Sequence, residues 1–164
     1  MFLYREPRET IASLIEGWHV GERTGQFVTF RNLPRWDRDV WCLALPSGWR
    51  AMKGRSLAEI AAFQWHGCNT AILKELTNMA SERLAGLSYG ALISHPADAL
   101  APVARLMQIS PDAFEWTAAT LPLSASTISP PRAEKWRLRE PEIAPSIEDV
   151  EPLYRQMRKW SAHY

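Results

Sequence analysis

The chain has 164 residues, 46% of them hydrophobic and 23% charged, which excludes a disordered polymer and allows one globular domain with a real core. Its formal net charge of +1 gives no bulk attraction to nucleic acid or to a membrane surface. Two cysteines, Cys42 and Cys68, are too few for a disulfide framework and form no Cys-x-x-Cys pair, so no metal site is expected and the default setting is reduced and cytoplasmic.

The opening apolar run is interrupted by Arg5, so no signal peptide is read there. No apolar stretch approaches the roughly 20 residues that a membrane helix needs. Phe2 to Tyr4 is a short strand. Pro7 suits the first position of a helix, where its missing N–H is not required. Ile11, Leu14, Ile15 and Trp18 then follow with the i, i+3, i+4, i+7 spacing of a helix that buries one face. Ser13 lies about 200° round that helix from Ile11, free to face a ligand or water.

From 19 to 55 the stretches QFVTF and DVWCLAL read as short strands or irregular chain, broken by Pro34, Pro46, Gly48 and Gly54. A mostly irregular excursion is expected. Ser56 and Glu59 form a capping box that opens the longest helix, over roughly residues 57 to 80. Gly67 is its weak point, by about 1 kcal/mol against alanine. LAGLSY, ending at Tyr89, is the second strand. HPADALAPVARLM is a helix started or kinked by Pro96 and Pro102. Asp112 and Glu115 open a short helix through Trp116. Residues 122 to 145 carry five prolines and read as extended, and Ser146 and Asp149 open a last helix with Val150, Leu153, Tyr154, Met157 and Trp160 on one face. Eight tryptophans promise aromatic anchors in a core or a pocket.

Two strands separated by helices can pair only in parallel. The expected class is therefore α/β, helix-rich, with a small parallel sheet.

Arg5 and Ser13 flank a strand, a turn and a helix start, and REPRETIAS resembles the 3′-phosphate-binding motif of sulfotransferases, R-[DE]-P-R-x-x-x-x-S. The chemistry of that pattern is direct. An arginine at a strand end offers a fork of donors to phosphate. The helix start adds partial positive charge, and a serine hydroxyl completes the cradle. The plain structural alternative is a solvated arginine and an exposed helix serine. Three further stretches are similar to bacterial members of the family. They are GRSLAEIAAFQWHGCNTAIL with Trp65 and Asn69, LSYGALISHPADALAPVARLM, and LPLSASTISPPRAEKWR.

The resemblance implies a partial P-loop-type, sulfotransferase-like domain over 1–164. Its parts are a 3′-phosphate unit at 1–18, an irregular excursion at 19–55, a long helix at 56–80, a strand–helix at 84–108, and an extended segment with a helix at 122–164. The implied co-substrate is 3′-phosphoadenosine 5′-phosphosulfate, with no metal. By position, Arg5 and Ser13 match the 3′-phosphate ligands and Tyr89 the strand-end tyrosine near the adenine. Lys135, Trp136 and Arg137 match the basic-aromatic stretch that closes over the nucleotide. The alternatives are a core tyrosine and a surface loop with one buried tryptophan. Gly90 and Ala91 depart from the family, which often has acidic residues there.

A complete sulfotransferase opens with a strand and a P-R-S-G-[ST]-T phosphosulfate loop, and nothing in this chain matches that loop. The resemblance is thus to the C-terminal half. No catalytic residue can be assigned: His19 and His66 are the mid-chain histidines, His95 reads as a helix-start residue and His163 as a tail. Three readings follow. The chain is half of an enzyme that needs an N-terminal half, a nucleotide-binding module without catalysis, or an interaction protein whose sheet edge recruits a partner or a second copy.

Overall fold

Phe2–Tyr4 forms the first strand, β1, in a computed structural model that describes residues 1–110, 127–128 and 134–162. It pairs in parallel with β4, Gly86–Ser88, in the register Phe2 to Gly86, Leu3 to Leu87 and Tyr4 to Ser88. A parallel pair needs a long crossover connection, and the helices between the two strands supply it. Between these strands lie α1 (Pro7–Thr24), β2 (Val28–Arg31), β3 (Val40–Cys42) and α2 (Leu57–Leu76). After them come α3 (Tyr89–Ser94), α4 (Pro96–Met107), a 3₁₀ turn at Lys135–Arg139 and α5 (Glu140–Ser161). The class is helix-rich α/β with a small two-stranded parallel sheet. No helix among the described residues is long and apolar enough to cross a membrane.

The chain divides into two compact units, and the division runs through α2 after Ala71 and through α5 after Leu153. The first unit holds β1, β4, α3, α4 and the last turns of α5. Its core is Ala85, Leu87, Leu100 and Val103, with Leu92, Ala99 and Leu106 packed against it. Phe2 meets the Trp160 ring edge-on at 5.6 Å. A side chain on Gly86 would strike Ser161, so glycine lets the end of α5 lie directly on β4.

The second unit holds α1, the β2–β3 ribbon, most of α2, the 3₁₀ turn and the first part of α5. Ile11, Ile15 and Trp18 are fully buried, as their helical spacing requires. Trp18 packs in one cluster with Val40, Trp41, Cys42, Trp49 and Ile60. Trp41 touches three other indoles, with ring centroids 5.4 Å from Trp18, 4.9 Å from Trp36 and 5.8 Å from Trp49.

Several expectations change on contact with the structure. QFVTF and DVWCLAL resolve as strands: Val28–Arg31 and Val40–Cys42 pair antiparallel with a bulge between Val28 and Phe30. The long helix ends at Leu76 rather than near residue 80. Gly67 is not a weak point but a point of close approach, where a Cβ would come within 2.8 Å of Pro46 Cβ. The last helix begins at Glu140, six residues before Ser146, which is buried within it. Pro141 lies in its first turn, where no N–H is needed. Ile143, Ile147, Val150, Leu153 and Met157 give α5 a continuous buried face that outweighs the bonds lost at Pro145 and Pro152. The short helix expected from Asp112 through Trp116, and His163, lie outside the described residues, as does most of the first half of the run expected to be extended from 122 to 145; its second half is not extended but forms the 3₁₀ turn Lys135–Arg139 and the start of α5.

Candidate functional site

Arg5 and Tyr89 come together in the first unit. Each follows directly, or within one residue, the carboxyl end of a strand, and those strands are parallel neighbours. The Arg5 guanidinium carbon sits 4.6 Å from the centre of the Tyr89 ring, within cation–π range. Both side chains are half-buried. Tyr89 is not the last residue of a strand, as expected, but the first of α3. Ser88 caps that helix, its Oγ accepting from the Ala91 N–H at 3.4 Å. Crevices at the carboxyl ends of parallel strands are where α/β sheets bind ligands. Gly90 and Ala91 occupy the exposed first turn of α3 and bring no charge to it.

Ser13, Lys135, Trp136 and Arg137 belong to the second unit. Ser13 is exposed on α1, off the face formed by Ile11, Ile15 and Trp18. The 3₁₀ turn carries the basic-aromatic stretch against α1. Lys135 Nζ donates to Glu16 Oε2 at 2.8 Å, across 119 residues of sequence. The Trp136 ring has the Arg8 guanidinium at 5.7 Å and that of Arg137 at 5.0 Å. Arg137 donates to Glu134 at 2.8 Å, and Arg139 to Glu142 at 2.9 Å. The hydrogen bond and charge of Arg137 hold the Glu134 carboxyl below its usual range, and Glu134 in turn raises the guanidinium. The sequence shows this stretch as basic. In the fold each of its three cations already meets a carboxylate, so an anion would have to displace one to bind there.

Beside Trp136 opens a cleft of about 280 Å³. Ile143 and Ile147 form its floor and Glu140, Glu148 and Glu151 its rim, with Arg8 as the one cation. Three carboxylates against one guanidinium make this cleft hospitable to positive charge, not to phosphate.

The two mid-chain histidines are exposed, on α1 and α2, and His66 Nδ1 lies 3.4 Å from Thr70 Oγ1 one turn away. Asn69 Nδ2 donates to the Trp65 carbonyl at 2.7 Å, a bond within α2 itself. Among the described residues, no group of three or more His, Cys, Asp or Glu could hold a metal ion.

The most connected buried polar side chain was missed from sequence. Gln64, 2% exposed, accepts from Trp18 Nε1 at 2.9 Å and donates to the carbonyls of Cys42 at 2.8 Å and Ala44 at 2.6 Å. Its one sequence signal is its place between Ile60, Ala61 and Trp65 on the buried side of α2, where a glutamine must find partners. It is a structural hub: its amide has its bonds inside the core and none to offer a ligand. Comparison with family models found no match, and comparisons with curated proteins and with solved structures found none either.

Proposed function

We propose that the chain is a sulfotransferase-type domain that binds the 3′-phosphate end of 3′-phosphoadenosine 5′-phosphosulfate. The reaction class is sulfuryl transfer to a hydroxyl or amine acceptor. The observation that carries this reading is the pairing of Arg5 with Tyr89 at the carboxyl ends of parallel β1 and β4. An arginine offers a phosphate a fork of donors, and a tyrosine beside it gives an adenine a flat neighbour. The resemblance adds Ser13, an exposed neutral donor on α1. Lys135, Trp136 and Arg137 contribute to the nucleotide only if their carboxylate partners yield.

No stretch of these 164 residues matches the 5′-phosphosulfate loop, and no acceptor base is assigned. Transfer requires donors at the leaving oxygen and a base at the acceptor. On this reading the chain alone binds without turning over, and activity needs an N-terminal half that carries the loop. The reading places it in the cytoplasm, with no nucleic acid, membrane or metal partner. The second reading is a non-catalytic nucleotide-binding or protein-interaction module, favoured by the carboxylates already seated on Lys135 and Arg137.

Calorimetric titration with adenosine 3′,5′-bisphosphate tests the proposal. Heat of binding is expected for the wild-type chain and none for Arg5→Ala, with Ser13→Ala weaker by on the order of 1 kcal/mol. No heat from the wild type, or wild-type affinity in Arg5→Ala, removes the nucleotide site.

A further inference from the structure

The cleft beside Trp136 has an apolar floor and an acidic rim, and its chemistry calls for a cation on an aliphatic stem. Ile143 and Ile147 are 1% and 6% exposed, so the floor is already well packed and offers only its upper surface. Neither Glu148 nor Glu151 has an ion-pair partner among the described residues. Uncompensated carboxylates gathered over an apolar floor are a surface on which a guanidinium can rest its stem and leave its charge at the rim.

The same helix supplies the complementary group. Between Tyr154 and Ser161 the chain reads YRQMRKWS, with no acid. Arg155 and Arg158 are both exposed and likewise have no ion-pair partner among the described residues. Glu151 and Arg155 stand at i, i+4, the spacing for a bridge along one helix, yet none is made. The two charged pairs have matched spacing: Glu148 and Glu151 are three residues apart, and so are Arg155 and Arg158. When two copies of α5 run antiparallel, Glu151 faces Arg155 and Glu148 faces Arg158, and the twofold axis repeats both pairs. This is the residue-i-to-residue-j exchange of an isologous interface.

From this we infer that the chain pairs with a second copy of itself, the cleft of each copy receiving Arg155 and Arg158 of the other. The inference is independent of the nucleotide reading. The competing account is that acids near a helix start and bases near its end merely suit the helix dipole. That account predicts a monomer.

Sedimentation velocity separates the two. Wild-type chain is expected to dimerise at low salt and to dissociate as salt rises, since the Debye length falls from about 10 Å at 0.1 M to about 3 Å at 1 M. Two variants are then compared, Glu148→Lys with Glu151→Lys, and Arg155→Glu with Arg158→Glu. Each should be monomeric alone with an unchanged circular dichroism spectrum, and an equimolar mixture should form the dimer again. Because the mixture restores pairing between opposite charges, a folding defect in one variant cannot mimic the result. A wild type that stays monomeric at low salt, variants that still dimerise alone, or a mixture that stays monomeric overturns the proposal.

Discussion

Trp18 on α1 donates its indole N–H to Gln64 on α2 at 2.9 Å, while the amide nitrogen of Gln64 holds the chain just after β3 through the Cys42 and Ala44 carbonyls. One side chain thus ties three elements of the second unit together, in an interior where an unpaired polar group has no water to turn to.

Replacing Gln64 by leucine should therefore destabilise the fold more than its change of size explains. The indole N–H loses its acceptor and the Cys42 carbonyl its side-chain donor, while the Ala44 carbonyl keeps Trp41 Nε1 at 2.8 Å, and each stranded group costs about 1–3 kcal/mol. A total loss of roughly 3 kcal/mol is expected in urea denaturation, allowing for partial rearrangement. Trp18→Phe, which strands only the glutamine oxygen while keeping an aromatic ring, should cost less. Equal losses in the two variants would contradict the three-way role.

Glycine-to-alanine changes inside helices usually stabilise. Here Gly21→Ala and Gly67→Ala should do the opposite. A Cβ at Gly21 would strike Cys42 Sγ and come within 2.9 Å of the Gln26 carbonyl oxygen, and one at Gly67 would press on Pro46. Overpacking costs about 1–3 kcal/mol, more than the roughly 1 kcal/mol of helix propensity gained. A raised melting temperature in either variant would show that the contact relaxes freely.

Those two glycines show where sequence reasoning stops. Helical spacing located Ile11, Ile15 and Trp18, and the helices between the strands pointed to a parallel pairing of β1 and β4. Both are local or topological facts written in the order of residues. What Gly21 and Gly67 face is set by segments 21 and 21 residues distant, Cys42 and Pro46, and no local pattern records it. The β2–β3 ribbon was ambiguous for a related reason. Its turns use positive φ at Phe27, Asn32, Arg35 and Leu43, residues that carry little of the usual glycine signal. The start of α5 was hidden by prolines whose cost is met by burial of Ile143 and Ile147. At the site, the resemblance singled out both Arg5 and Tyr89, and the fold places them in contact. The carboxylate partners of Lys135 and Arg137 came only with the structure, because Glu16 lies far away in sequence and Glu134 sits in a turn.

Cys42 should be silent toward thiol reagents in the native protein. Burial, reinforced by the charge of Glu22 and opposed by Arg31, raises its thiol from 9.0 to about 11. Burial raises Cys68 as well, but that side chain is partly exposed. At pH 8 a disulfide reagent should modify Cys68 first and reach Cys42 only on unfolding. The sign of the linkage follows from the raised value: the folded state holds this proton more tightly. Stability contributed by the neutral thiol is complete below pH 9.0 and lost as pH rises toward about 11. Rapid labelling of Cys42 at neutral pH would contradict its burial.

Ser56 and Glu59 complete the capping box: Glu59 N–H donates to Ser56 Oγ at 3.2 Å, and the Ser56 N–H returns to Glu59 Oε2 at 2.9 Å. Ser56→Ala should cost about 1 kcal/mol. The Ser56 backbone bond leads the causes that hold the Glu59 carboxyl below 4.5, followed by the Ser56 hydroxyl. Its contribution is present above pH 4.5 and fades as the pH falls through the lowered value. In an acid titration, wild type should lose stability relative to Glu59→Gln within that window, and the difference between the two should be full and constant above it.

The indole cluster around Trp41 has a consequence for how this protein can be watched. Trp36, Trp41 and Trp49 stand 4.9–5.9 Å from one another and Trp18 stands 5.4 Å from Trp41, close enough for excited states to mix between neighbours. Such mixing gives a near-ultraviolet dichroic signal that depends on ring orientation and vanishes when the cluster loosens. All four rings belong to the second unit, whereas the described tryptophan of the first is Trp160. The molecule therefore carries a built-in optical gauge of one unit, and melting followed by that band beside far-ultraviolet helix signal reports whether the two units come apart together or in turn.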